Sequence, residues 1–151
     1  MKMKQKGYTL VELLIVIAII GLLVAILIPN LLDAQDRAKQ RSTIAELRSW
    51  GTAIGAYMTE KGLTPCPTCP GSDYAGFASG IHSDLVPYAI SALHDNDKWN
   101  FPFRYYTTTA QDSYTVRSYA KQGAPGAPPV FWFDYEGDLI LSDGVFASLP
   151  Y

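Results

Sequence analysis

Residues 13–32 read LLIVIAIIGLLVAILIPNLL, twenty consecutive positions without a charged side chain. A helix of this length spans about 30 Å, which is the thickness of the hydrocarbon core of a bilayer. Lys2, Lys4 and Lys6 precede this run, and the first seven residues contain no acidic side chain. Because positive charge stays on the cytoplasmic side of a membrane, the sequence predicts a single span with everything after it outside the cytoplasm.

Three other interpretations of this apolar run explain less. A cleaved secretory signal peptide has a shorter apolar core and ends in a small-residue cleavage site, whereas residues 29–32 here read PNLL. A buried helix of this hydrophobicity would be unusual in a chain of 151 residues. A simple membrane anchor fits the length but gives no role to Glu12. A carboxylate at the edge of an apolar span is costly, so Glu12 either reaches the lipid headgroups or marks function or a specific partner.

The residues before the run, KGYTLVE at positions 6–12, resemble the type IV prepilin signature. Type IV pilins share this signature with the pseudopilins of type II secretion systems. In it, a short basic leader ends in glycine, an aromatic residue begins the mature chain, and a Thr-Leu-x-Glu run precedes a long apolar helix. The sequence departs from the signature only in having Tyr8 where phenylalanine is commoner.

The resemblance implies a processing site and an assembly site. A prepilin peptidase on the cytoplasmic face would cut after Gly7, removing the leader 1–7, and glycine permits close approach to the backbone. Tyr8 would become the N-methylated N-terminus. Glu12 would then neutralise the α-ammonium group of a neighbouring subunit in a helical homo-filament. Pairing removes most of the cost of placing either charge in an apolar bundle, and it fixes the register between subunits.

Two residues inside the apolar run weaken its helix. Pro29 removes one backbone hydrogen bond, and Gly21 lowers the helix propensity. The resemblance implies that the helix loosens near such a proline in the filament, whereas a simple kink in a membrane helix fits the same residues.

The helix continues beyond the apolar run with an amphipathic pattern. Gly62 is a candidate C-cap and Pro65 prevents continuation, so we expect one helix from about Tyr8 to Lys61. Its first part, 8–32, is the predicted membrane or filament-core segment, and 33–62 is the amphipathic part. Apolar positions on one face of this second part are Ile44, Leu47, Gly51, Ile54 and Met58.

The remaining residues, 63–151, predict a small antiparallel sheet packed on the second part of the helix, so the expected fold is α+β. Residues 63–96 are rich in Gly, Pro, Ser and Asp and predict an irregular connection, with a helical turn near 84–93. Tyr, Thr and Val predict a first hairpin from 103–109 and 114–119. A second hairpin is expected from 129–135 and 138–141, around Glu136-Gly137.

A second resemblance lies at 97–105, DKWNFPFRY. It is similar to the segment of the major pseudopilins in which Asp-Pro-Trp-Gly precedes a Pro-aromatic pair and the first strand. Lys98 and Asn100 depart from that pattern. The match favours the secretion-type filament over the type IV pilus, although related pilins carry similar turns.

The carboxylates near the C-terminus are candidate ligands for a calcium ion. Major pseudopilins follow the sheet with an acidic loop that binds calcium, but residues 122–128 contain no carboxylate. Calcium takes several oxygen ligands, and carboxylates at a hairpin tip are more often solvated turn residues. No other cofactor is expected. The candidate calcium ligands are Asp134, Glu136, Asp138 and Asp143.

Cys66 and Cys69 lie in the sequence PCPTCP at 65–70. Outside the cytoplasm a disulfide is the favoured state, ahead of free thiols and a metal site. Zinc would need more ligands, and His82 and His94 are the only histidines.

Charge and composition argue against other functions. Without the three lysines of residues 1–7, nine basic side chains face 14 acidic ones, a formal charge of −5. This charge disfavours nucleic acid, which needs clustered Lys and Arg. An anchored enzyme lacks any nucleophile–base pattern.

The predicted role is therefore structural: a pseudopilus subunit for protein secretion, or alternatively a major or minor pilin that serves motility, adhesion or DNA uptake. Implied partners are an inner-membrane assembly platform, its cytoplasmic motor and minor pseudopilins.

Overall fold

Helix α1 runs from Leu10 to Lys61 and contains Pro29 without interruption. The computed structural model describes residues 7–66, 74–86, 93–124 and 137–148. At the end of α1, Gly62 has a φ of +76°, and its N–H donates to the carbonyl of Met58 at 2.8 Å. This left-handed cap confirms the predicted end of the helix. The chain divides into two compact units, Met1–Asp36 and Arg37–Tyr151.

The described residues of the second unit form a five-stranded antiparallel sheet. Its strands follow one another in space in the order in which they occur along the chain. They are β1 (Tyr74–Phe77), β2 (Arg104–Thr107), β3 (Tyr114–Ser118), β4 (Leu139–Ser142) and β5 (Val145–Ser148). A 3-10 turn at Ala78–Ile81 and the short helix α2, His82–Leu85, follow β1.

The core of this unit lies between one face of α1 and one face of the sheet. Leu47 and Ile54 are fully buried, and Ile44 and Met58 pack on the core, which confirms the predicted apolar face. The pattern did not single out Trp50, which is fully buried and donates from Nε1 to the carbonyl of His94 at 3.0 Å. Sheet residues alternate between buried and partly exposed along β2, β3 and β4, so one face of the sheet covers the helix.

The structure confirms the first predicted hairpin, now β2–β3, and corrects the second. β4 lies between β3 and β5, so both its edges are paired and its hairpin partner is β5. The turn is Asp143-Gly144, where both residues have positive φ, 49° and 79°. These angles suit a tight hairpin turn, for which Asp-Gly is a strong signal. The predicted hairpin around Glu136-Gly137 is therefore wrong, and 129–135 lies outside the described residues.

Strand β1 and the helical turns at 78–85 fall in a segment that was predicted to be irregular. The described helical turns lie at Ala78–Ile81 and His82–Leu85, and the second overlaps the start of the turn expected near 84–93. Residues 87–92 are outside the described part of the chain.

Asp97 holds together the turn that precedes β2. Its Oδ1 accepts hydrogen bonds from the backbone N–H groups of Trp99 and Phe101, at 3.0 and 2.9 Å. Its Oδ2 accepts one from the hydroxyl of Ser118 at 2.7 Å. The aspartate is only 5% exposed, and burial raises the pKa of its carboxyl.

We expect Asp97→Ala to reduce the free energy of unfolding by about 2–4 kcal/mol, because three donors lose a buried acceptor. Asp97→Asn should cost less, since its amide oxygen can accept the backbone N–H groups while its NH₂ donates to Ser118. Urea unfolding of the detergent-solubilised chain, followed by circular dichroism, measures both. Equal stability of wild type and Asp97→Ala would contradict this role.

The same variants test the pH dependence of stability. Because the folded pKa of Asp97 is raised, the folded chain binds its proton more tightly than the unfolded chain. The contribution of this carboxyl to stability therefore falls as pH rises from about 4 through the raised pKa and is level above it. Asp97→Asn should lack that decline.

Candidate processing and assembly site

The junction predicted for cleavage lies before the first turn of α1. Gly7 and Tyr8 precede the helix, and Tyr8 is 87% exposed. Apart from its chain neighbours, no described residue places an atom within 4 Å of the position that a Cβ on Gly7 would occupy. The backbone at this junction is therefore open to an enzyme, although the cut itself stays a prediction.

The N-terminus of α1 is closed by a capping box between Thr9 and Glu12. Glu12 Oε2 accepts hydrogen bonds from the backbone N–H of Thr9 at 2.8 Å and from its hydroxyl at 2.9 Å. In return, the N–H of Glu12 donates to Thr9 Oγ1 at 3.2 Å. This arrangement was not predicted, although the spacing Thr-x-x-Glu before an apolar run is the known sequence signal of a capping box. Within a single subunit, the Glu12 side chain is thus oriented by its hydrogen bonds to Thr9.

The helix behind this box exposes apolar side chains on every side. Leu13 to Leu32 contain no charge, and Glu12 is the only charged residue between Tyr8 and Leu32. All large apolar side chains in this range are at least 43% exposed. An 18-residue window of α1 has a mean hydropathy of 3.2, and length and composition suit one membrane span. Tyr8, Glu12, Leu13 and Val16 line a shallow pocket of about 360 Å³ on the helix surface.

The residues predicted to loosen the helix lie within continuous helix in the isolated chain. Pro29 is inside α1, and the side-chain amide of Asn30 donates to the carbonyl of Ile26 at 3.4 Å. Apart from the backbone of α1 itself, no described residue places an atom within 4 Å of a Cβ on Gly21. Loosening in an assembled filament stays a prediction.

The cysteine and calcium predictions fall partly outside the described residues. Cys66 is disulfide-bonded, and its predicted partner, Cys69, lies outside them. Two candidate calcium ligands, Asp134 and Glu136, also lie outside the described residues.

The two described calcium candidates have protein partners. Asp138 is fully buried and pairs with Arg117, whose Nε lies 2.8 Å from its Oδ2. Asp143 accepts a hydrogen bond from the N–H of Tyr114 at 2.8 Å. The described part of the chain contains no group of three or more His, Cys, Asp or Glu side chains that could hold a metal ion.

Comparison with known proteins places the junction and the helix in a family. Residues 2–28 match the family model of the prokaryotic N-terminal methylation motif. The chain is 39% identical over 79 residues to the type IV narrow pilus major component PilA5 of Thermus thermophilus, covering 52% of this chain and 68% of that protein. It is 36% identical over 101 residues to fimbrial protein EcpB of Eikenella corrodens, covering 62% and 64% of the two chains.

Similarity also extends to secretion proteins. The chain is 31% identical over 75 residues to type II secretion system core protein G of Pectobacterium carotovorum, covering 44% of this chain and 48% of that protein. It thus spans less than two thirds of the length of EcpB and of the secretion protein. No solved structure matches. The methylation motif, the long helix on an antiparallel sheet and these relatives show that the chain belongs to the type IV pilin family, in the broad sense that includes the type II secretion pseudopilins.

Proposed function

We propose that this chain is a structural subunit of a helical filament and that it resides in the inner membrane before assembly. The observation that carries the proposal is the helix surface from Leu10 to Leu32, which is apolar on all sides and exposed. Such a surface needs lipid around it or the equivalent helices of other subunits. A bilayer supplies the lipid before assembly, and the core of a filament supplies the helices of other subunits afterwards.

Maturation removes residues 1–7. Lys2, Lys4 and Lys6 hold this leader on the cytoplasmic side, so a prepilin peptidase meets Gly7 on that face and the sheet-containing unit lies in the periplasm. The open backbone at Gly7 supports a cut before Tyr8. Methylation of the new Tyr8 amine then leaves a mature N-terminus beside Glu12.

Assembly uses the charge of Glu12. Its carboxylate is held beside Tyr8 by the capping box, at the edge of a surface that has no other charge up to Leu32. In an apolar helix bundle, an unpaired carboxylate and an unpaired ammonium are both costly. Pairing Glu12 with the Tyr8 ammonium of a neighbour satisfies both groups and sets the axial register of the two subunits.

The filament we propose is a type II secretion pseudopilus, built with an inner-membrane platform, a cytoplasmic motor and minor pseudopilins. The segment 97–105 supports this branch, because its sequence resembles the turn of major pseudopilins and its Asp97 and Phe103 are buried at the turn before β2. A type IV pilus is the second candidate, supported by the longer and more identical alignments to PilA5 and EcpB.

Deleting the gene in its native host separates the two branches. For a pseudopilus, we expect secreted proteins to accumulate in the periplasm while surface pili and surface motility are unchanged. Normal secretion together with loss of surface pili would assign the chain to a type IV pilus instead. Complementation with the wild-type gene is the control.

A further inference from the structure

The outer face of the sheet, meaning the face away from α1, carries an unusual set of side chains. Alternation along β2 and β3 places Arg104 and Tyr106 there, together with Thr115 and Arg117. The strand register puts Arg104 directly opposite Arg117, and Tyr106 directly opposite Thr115. Arginine and tyrosine are enriched at binding surfaces, where large planar groups supply contact area at low entropic cost.

The arginine end of this face carries a positive charge that the described residues do not neutralise. Asp138 pairs with Arg117, but no described carboxylate contacts Arg104. The Arg104 guanidinium instead lies 4.0 Å from the ring centroid of Phe77. Like charges directly opposite each other on neighbouring strands destabilise a sheet. A bound anion at Arg104 would relieve this repulsion.

The other end of the face is an open pocket lined with hydroxyl groups. It has a volume of about 320 Å³, and Tyr106, Thr108, Ser113 and Thr115 are among its lining residues. Ala75 lies opposite Tyr106 on β1 and also lines the pocket, so the neighbour of the aromatic ring on that strand is a small side chain. At the rim of the pocket, the hydroxyl of Thr108 donates to Asp112 at 2.7 Å.

The two ends are close enough for one ligand. Arg104 and Tyr106 are two positions apart on the same strand and the same face, which corresponds to about 7 Å. Thr108 follows two positions later, just beyond the end of β2. A ligand that covers this row meets a cation, then an aromatic ring, then hydroxyl groups and a carboxylate.

We propose that this outer face binds an acidic glycan that contains uronic acid units. A sugar carboxylate would pair with Arg104, as guanidinium groups favour planar carboxylates. The apolar face of a pyranose ring would lie on Tyr106. Sugar hydroxyls would exchange hydrogen bonds with Thr108 and Thr115 and donate to Asp112. None of these contacts requires the filament, so the proposal stands apart from the assembly proposed above.

Single-stranded nucleic acid is the competing anionic ligand, and the charges disfavour it. Binding along a phosphate backbone needs clustered Lys and Arg. Among the described residues, Arg104 is the arginine of this face that no carboxylate contacts, and Asp112 lies at the far end. Removing the leader leaves the chain with a formal charge of −5.

The test is isothermal titration of the detergent-solubilised full chain with trigalacturonic acid. We expect binding, with affinity reduced by about tenfold or more for the methyl-esterified trimer and for Arg104→Gln, since each loses a charge-assisted hydrogen bond. Arg41→Gln, the same charge change at an exposed position of α1, should bind as wild type does. Circular dichroism verifies that each variant is folded.

Three outcomes would overturn the proposal. They are absence of binding to trigalacturonic acid, equal binding of the methyl ester, and equal weakening by Arg41→Gln. Tighter binding of an oligothymidylate than of the sugar would replace it with a nucleic-acid surface. Tyr106→Ala is a second variant in case Arg104→Gln does not fold, and it should also weaken sugar binding.

Discussion

Replacing Glu12 by Gln should abolish filaments while leaving removal of the leader intact. The amide keeps the size of the side chain and can still accept hydrogen bonds from Thr9. It cannot neutralise the Tyr8 ammonium of a neighbour, and breaking a buried charge pair by removing one partner costs about 3–5 kcal/mol. That loss at every subunit contact corresponds to an association constant lower by about two to four orders of magnitude. Electron microscopy and sedimentation of sheared filaments measure how much filament each variant forms.

Two control variants separate pairing from capping. Thr9→Ala removes the cap but keeps the carboxylate, at a cost of about 1 kcal/mol, so its filaments should be fewer but present. Glu60→Gln removes an exposed carboxylate at the other end of α1, 3.3 Å from Lys61, and should assemble normally. If Glu12→Gln were no worse than Thr9→Ala, Glu12 would act only as a helix cap and the proposed pairing would be wrong.

Replacing Gly7 by Leu should block removal of the leader and, with it, assembly. The peptidase must bring catalytic groups to the backbone after residue 7, and a branched side chain there displaces the reacting bond. A displacement of about 1 Å costs on the order of 100-fold in rate. The conversion of precursor to mature chain can be followed by gel mobility after induction of the peptidase.

A matched glycine substitution controls for general effects. Gly55 also has open space where a Cβ would lie, but it is inside α1 and far along the chain from the junction. Gly55→Ala should be processed at the wild-type rate, since it only improves helix propensity. Processing of Gly7→Leu at that same rate would contradict the assigned junction.

The long helix could be predicted because its signals are local. An apolar run, an amphipathic period of three and four residues and a left-handed glycine each act within a few residues, and α1 ends at Lys61 as Gly62 requires. The second hairpin was assigned to the wrong turn because two Gly-containing turns lie close together. Asp143-Gly144 forms the turn, and Val145–Ser148 is the strand that follows it.

Strand β1 could not be predicted from its own residues. Tyr-Ala-Gly-Phe has a weak β preference, and its order comes from pairing with β2, 27 or more positions further along the chain. The candidate site could be predicted only in part. Its capping box is readable from spacing, whereas the pairing of Glu12 with another subunit depends on a neighbour and rests on the family resemblance.

The most direct test of the filament proposal is the intact mass of the chain co-expressed with a prepilin peptidase, with fragmentation of its N-terminal peptide. We predict a chain that has lost Met1–Gly7 and begins with N-methylated Tyr8. A chain that keeps its leader, or that is cut at another bond, would contradict the account and leave a membrane-anchored domain.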